Sequence, residues 1–326
     1  MNLYEQQTSN RRKTWLIMLA FIGLLFFLGA GFDTLYLGAG GGFVPVGSLL
    51  ALTLGSVSSA ASYFAGDKAV LLATAATPVD ELAPASDEER LKLQQLNNVV
   101  DEMAIAAGIP RPRVYVVPDP DPNAFATGRG PGRSSIAVTR GLLDALDREE
   151  LQGVVAHEMS HIRNLDVLLM TIVAALVGTA ALLSEWARRG MMWGGGSRRR
   201  DDRDREGGGI AGAVFFAIWA VAILIAPFVV QALAMMVSRK REYLADASGA
   251  ELTRNPLGLA RALEKIESAV EPTRSINRGS AHLCITDPLG RQVNLKEGFW
   301  SDLFASHPPM AARIAALKEM AFQGRS

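Results

Sequence analysis

His157-Glu158-Met159-Ser160-His161 sets two imidazoles four residues apart around a glutamate. On a helix that spacing puts both rings on one face, where they can grip a single metal ion. Glu158, next to the first ring, is placed to take a proton from a metal-bound water rather than to bind the metal itself. Zinc lowers the pKa of such a water toward neutrality and makes hydroxide available at ordinary pH. The pattern therefore points to metal-assisted hydrolysis. The bland alternative is a core helix with two hydrogen-bonded histidines. The chain has only four histidines, however, and two of them hold this spacing.

A catalytic zinc takes three protein ligands and keeps one position open. No third histidine closely follows His161, so the third ligand must come from elsewhere. The best candidate is Glu242, in Ser238-Arg239-Lys240-Arg241-Glu242-Tyr243-Leu244-Ala245-Asp246. Glu242 and Asp246 are four apart on a predicted helix, so one can ligate while the other orients a ligand histidine. A basic cap at a membrane boundary with ordinary carboxylates is the competing reading of this stretch. Asp166 is either an interfacial cap or a partner to a ligand.

Stepping outward, Asp147-Arg148-Glu149-Glu150 has the form of a capping box and starts the motif helix, and Leu151, Val154 and Val155 would bury it. Ser86 to Glu89 has the same form and leads a predicted helix with Leu91, Leu93, Leu96, Val99, Val100 and Met103 on its apolar side. Arg113–Val117, Ala124–Thr127 and Ser134–Thr139 read as strands, with Gly128–Gly132 as a loop.

Apolar residues make up 49% of the 326 residues, and four long stretches carry almost no charge. They run over about 14–32, 42–65, 165–186 and 210–237, each long enough to cross a bilayer as a helix. A cleaved signal peptide is the alternative for the first, but its run is long and a second apolar segment follows closely. The Arg- and Gly-rich stretch 188–209 reads as a solvated connector. Net formal charge is zero and no basic stripe with aromatics exists, which argues against nucleic acid. A single cysteine, Cys284, excludes an internal disulfide and a cysteine-based metal site. Arg11-Arg12-Lys13 before the first span predicts a cytoplasmic N-terminus, and two spans later a catalytic body on the same side; the arginines after Trp186 run against this orientation.

In these blocks the chain resembles the HtpX-type membrane metalloproteases, relatives of the CAAX prenyl proteases. The matching features are His157 to His161 followed by Asp166, Arg241-Glu242-Tyr243-x-Ala245-Asp246, Asn123 to Gly128, and Ser306-His307-Pro308-Pro309 with Arg313. The resemblance implies zinc ligands at His157, His161 and Glu242, a base at Glu158, and a transition-state contact from His307 supported by Arg313. It implies that substrate adds as a strand to a sheet edge at Ser134–Thr139, through Ser135, Ile136, Ala137 and Val138, preceded by Asn123, Ala124 and Phe125. It also implies membrane-protein substrates and a quality-control role.

The expected architecture is an integral membrane, mainly α protein with four hydrophobic helices and a zincin-like catalytic domain holding a small β-sheet. Its expected parts are an N-terminal hairpin (1–66), a first catalytic part (67–164), a second hydrophobic hairpin (165–237) and a second catalytic part (238–326). One zinc per chain, polypeptide substrates, the lipid bilayer and a multi-pass cell (inner) membrane location complete the expectation. The principal rival is a non-catalytic membrane scaffold or chaperone that keeps zinc for structure. A prenyl-protein endopeptidase would need a larger membrane chamber than four spans supply. A transporter would need paired charges or repeats within its spans.

Overall fold

Two long helices lead the chain: α1, Leu3–Phe32, and α2, Val46–Ala73. They come from a computed structural model that describes residues 3–33, 45–177, 179, 239–269, 283–286 and 308–323. Small residues let the two helices approach closely. A Cβ on Gly29 would meet the Gly47 carbonyl oxygen at 2.4 Å, and Gly55 lies against Ile22. Asp33 joins α1 to α2 by accepting from the Gly47 N–H at 2.6 Å and from the Ser48 N–H at 2.7 Å, in the first turn of α2. The outward faces stay apolar: Trp15, Leu16, Leu19, Val57, Phe64 and Leu72 are all exposed. Such a continuous apolar surface is what hydrocarbon would cover.

Four membrane helices were expected. Among the described residues, two are long and apolar enough to cross a bilayer, Gln7–Gly31 and Val46–Ala73. The third segment begins as α6, Asp166–Val177, which departs from the motif helix at 85°. Leu165 makes the bend with φ of 60°, a left-handed conformation that a branched side chain rarely adopts. The fourth segment and the 188–209 connector lie outside the described residues.

The sheet holds β1 (Thr77–Pro78), β2 (Arg113–Val117), β3 (Ala124–Gly130) and β4 (Arg133–Thr139), in the order β1-β2-β4-β3. β2 and β4 are parallel; β3 and β4 form an antiparallel hairpin. This corrects one expectation. Ser135, Ile136, Ala137 and Val138 sit on a strand paired along both sides, so no peptide can add there; the edge strands are β3 and the two-residue β1. β3 also runs through Gly128 to Gly130, which had read as loop, with an irregularity in register between them.

Helix α3, Asp87–Ala107, starts at Ser86, whose side chain accepts from the Glu89 N–H. Its expected reciprocal bond is displaced by one residue, because the Glu89 carboxylate accepts from the Ala85 N–H at 2.7 Å. Leu93, Leu96, Val99, Val100 and Met103 are buried as the spacing predicts, whereas Leu91 faces out. Thr139 caps the short α4, Arg140–Ala145. Helix α5, Arg148–Arg163, carries the motif and begins with both bonds of the Asp147/Glu150 capping box.

Around α5 pack α3, β3, α7 (Arg239–Thr253) and α8 (Pro256–Ser268); α9 (Met310–Gln323) closes over α7 and α8. Val154, Val155, Leu259, Leu263 and Ile266 are sealed from solvent in this core. Each such side chain contributes roughly 1.5–3 kcal/mol of burial. Two glycines set the spacing. A Cβ on Gly153 would lie 2.7 Å from the Leu259 backbone nitrogen, and one on Gly249 would lie 3.0 Å from that of His157. Gly249 thus lets α7 press directly onto the motif helix.

Candidate metal centre

The close approach of α5 and α7 brings their polar faces together inside the core. His157, His161 and Glu242 each offer a ligand atom, and the three atoms lie within 4.8 Å of one another. His157 Nε2 is 3.2 Å from His161 Nε2 and 3.7 Å from Glu242 Oε2; His161 Nε2 is 3.5 Å from Glu242 Oε1. Donors bound tetrahedrally to zinc at 2.0–2.1 Å stand about 3.3–3.4 Å apart. The observed spacings bracket that value.

The outer nitrogens fix the rings. His157 Nδ1 is 3.0 Å from Asp246 Oδ1, and His161 Nδ1 is 3.2 Å from Asp166 Oδ2. Asp166 is hydrogen-bonded to His161 Nδ1 and Asp246 lies beside His157 Nδ1, so both Nε2 atoms turn inward toward Glu242; with the rings neutral, those two nitrogens are lone-pair donors to a metal. Three acceptors converging in a buried space repel one another unless a cation stands between them. The charge balance points the same way. Glu242 and Asp246 are buried against the Arg313 guanidinium and Asp166 against that of Arg241, and Glu158 is buried within the field of Arg313. With both rings neutral and all four carboxylates ionised, two guanidiniums leave two negative charges, which a divalent ion would neutralise.

Titration behaviour follows from this arrangement. Burial opposes charge on His161, yet its hydrogen bond to Asp166 and the nearby Glu242 and Glu158 carboxylates outweigh it and set the pKa at about 9. Burial pushes His157 down, against the pull of Asp246. Burial also raises Glu158 to about 7, with Glu242 adding to the rise; His161, Arg313 and a hydrogen bond from the Ala126 N–H oppose it. A carboxyl poised there suits a group that must both take and return a proton. Asp246 goes the other way, to about 2, because Arg313 beside it outweighs the cost of burial.

Arg313 was expected only as a support for His307. His307 lies outside the described residues. Arg313 is wholly buried and clamps Asp246, with Nε to Oδ2 at 2.8 Å and Nη2 to Oδ1 at 2.7 Å. Its Nη1 donates to the Ile285 carbonyl at 2.8 Å and lies 3.4 Å from Glu242 Oε2. The arginine therefore positions Glu242 and Asp246 of α7.

Asp166 reaches His161 because of the bend at Leu165. It does not continue the α5 helix one turn beyond Ile162; the chain turns back and returns it to the ring. Its other oxygen accepts from Arg241 at 3.0 Å and from Asn10 of α1 at 2.7 Å. Neither contact was foreseen for Asn10 or Arg241, since a lone amide before a basic cluster carries no signal of its own.

The edge strand β3 runs beside α5. The Thr139 N–H donates to the Asn123 carbonyl, so by alternation Ala124, Ala126 and Gly128 turn their main-chain groups away from β4. Ile285 already donates to the Ala124 carbonyl at 2.9 Å, in an antiparallel bridge between Phe125 and Cys284. The Gly128 N–H donates to Thr171 Oγ of α6 at 3.1 Å. The Asn123 side chain donates to the Thr286 carbonyl at 3.2 Å and holds that strap in place.

Residues 90–321 match peptidase family M48. Among curated relatives, a protein named "Protease HtpX homolog" from Caldanaerobacter subterraneus subsp. tengcongensis is 42% identical over 318 residues, covering 98% of each chain. Relatives of the same name from Thermoanaerobacter pseudethanolicus and Streptococcus thermophilus are 43% and 41% identical, covering 98% of this chain and 98% and 100% of theirs. Among solved structures, S. mikatae Ste24p is similar at a TM-score of 0.48 and 18% identity, over 96% of this chain and 67% of that one.

Proposed function

The chain belongs to peptidase family M48 as a metalloprotease of the HtpX type, and from that premise we propose a membrane-bound zinc endopeptidase with His157, His161 and Glu242 as its ligands. The observation that carries the reading is the inward convergence of two Nε2 atoms and one carboxylate, each ring backed by its own acid. Bound zinc would supply Lewis-acid activation of the water and of the scissile carbonyl.

The protein's own groups do the rest. Glu158 takes a proton from the attacking water as the new C–O bond forms and then delivers it to the amine nitrogen as the peptide C–N bond breaks. The rise of its pKa to about 7 keeps both protonation states accessible near neutrality. Asp246 and Asp166 hold the two imidazoles in their ligating tautomer, and Arg313 fixes Asp246. On the family likeness His307 would contact the oxyanion. Peptide substrate would lie along β3, in the stretch from Ala126 toward Gly130, where it would displace the Glu158 and Thr171 contacts of the Ala126 and Gly128 N–H groups, Ala124 and Phe125 being paired with the 284–285 strap.

The two apolar helices support a membrane location. Misfolded or damaged membrane proteins are the proposed substrates, and the cell (inner) membrane with a cytoplasmic active site is the proposed setting. The basic cluster Arg11-Arg12-Lys13 supports that orientation. Cleavage of a model membrane protein by parent and Glu158→Gln protein in detergent tests the reading. Zinc-dependent cleavage that vanishes in Glu158→Gln while zinc remains bound is expected. Retained zinc with no cleavage by the parent would favour the scaffold alternative.

A further inference from the structure

α1 does more than cross the membrane: its polar first turns close the far end of the motif helix. The last carbonyls of a helix lack partners within the helix. Gln7 Nε2 donates to the Arg163 carbonyl at 2.7 Å, and Asn10 Nδ2 donates to the Asn164 carbonyl at 3.0 Å. Residues three apart share a helix face, so one face of α1 supplies both amides. The same Asn10 Nδ2 lies 2.7 Å from Asp166 Oδ1. Asp166 is thereby held on both oxygens: Oδ1 by Asn10 and Arg241, Oδ2 by His161. Asn10 and Asp166 are both buried, so neither bond can be replaced freely by water.

We infer that Asn10 is a positioning residue of the metal centre, acting through Asp166 on the His161 ring. The inference rests on the zinc reading above. It adds that the N-terminal membrane helix is a structural part of the metal site rather than only an anchor. Without the Asn10 amide, Asp166 keeps Arg241 alone on that oxygen and is drawn toward it. The carboxylate then turns relative to His161 Nδ1, and the imidazole loses its fixed tautomer and direction.

The test is zinc affinity of the full-length protein in detergent, measured by competition with a chromophoric chelator. Asn10→Ala and Asn10→Leu are made in the parent and in an Asp166→Ala background. Loss of a carboxylate partner behind a ligand histidine weakens metal binding on the order of tenfold to a hundredfold. Loss of the residue that holds that carboxylate is expected at about the lower end of that range. In the Asp166→Ala background the Asn10 substitutions should cause no further weakening, and Asn10→Gln should recover much of the parent affinity. Metal-free melting should fall only modestly, because the Asn164 carbonyl also loses its donor. Parent-like affinity in both Asn10 variants, or an equal added loss when Asp166 is already gone, would overturn the proposal. So would a failure of every Asn10 variant to fold with or without metal, which would assign the residue to the fold alone. A parent protein that binds no zinc would instead sink the metal-centre reading.

Discussion

Arg313 and Asp246 meet in a two-bond fork, Nε to Oδ2 and Nη2 to Oδ1, and no part of the arginine reaches solvent. The fork ties the C-terminal helix to α7 and fixes the acid that steadies His157. Arg313→Leu would leave a buried carboxylate without its counter-charge, at a cost of about 3–5 kcal/mol. A large drop in melting temperature is expected, with weakened zinc binding in whatever protein still folds. Arg313→Lys keeps the charge but loses the fork and should fall between the two. Thermal melts of the three proteins in one detergent check the order.

Zinc binding should release a proton. In the metal-free site His161 stands at about 9, above its ordinary 6.5, so it is protonated at neutral pH and the cation must displace that proton. Apparent affinity should therefore climb about tenfold per pH unit toward pH 9 and flatten above it. The sign for stability of the metal-free protein is the opposite. The charged ring contributes fully below 6.5, and that contribution is lost as pH rises through about 9. Chelator competition and apo-protein melts at a series of pH values measure the two trends.

Gly153 lets the backbones of α5 and α8 approach closely. A methyl there would sit 2.7 Å from the Leu259 backbone nitrogen, so one of the helices must move. Gly153→Ala should destabilise the protein by roughly 1–3 kcal/mol, as overpacked cores do. Gly249→Ala meets His157 less severely, at 3.0 Å, but at a ligand. It should lower zinc affinity more than it lowers the metal-free melting temperature, and paired melts and metal titrations separate the effects.

Thr171 occupies a main-chain donor that an added substrate strand would use, the Gly128 N–H. Thr171→Val removes the hydroxyl at nearly constant shape and frees that donor. A lower KM for an extended peptide with little change in kcat is expected. An unchanged KM would mean that substrate does not extend past Ala126 along β3.

The pairing of residues within each helix of the site is legible in the sequence. The i, i+4 spacings of His157 with His161 and of Glu242 with Asp246 are local helical facts, and the Asp147 capping box fixed where the first of those helices starts. Strand order was not legible, because pairing depends on distant segments: β4 follows the others in sequence yet lies between β2 and β3. The turn at Leu165 was missed as well, since no glycine or proline marks it. That turn is what returns Asp166 to His161. The Asn10 contact shares this cause, being a pairing between residues more than 150 positions apart that no spacing rule can reach.

The central claim is that α5 and α7 share one cation. Metal content of the purified protein, by elemental analysis beside a Glu242→Ala variant, addresses it most directly. One zinc per chain in the parent, and a loss of at least tenfold in affinity without Glu242, is the expected result. Equal zinc content and affinity in both proteins would contradict it.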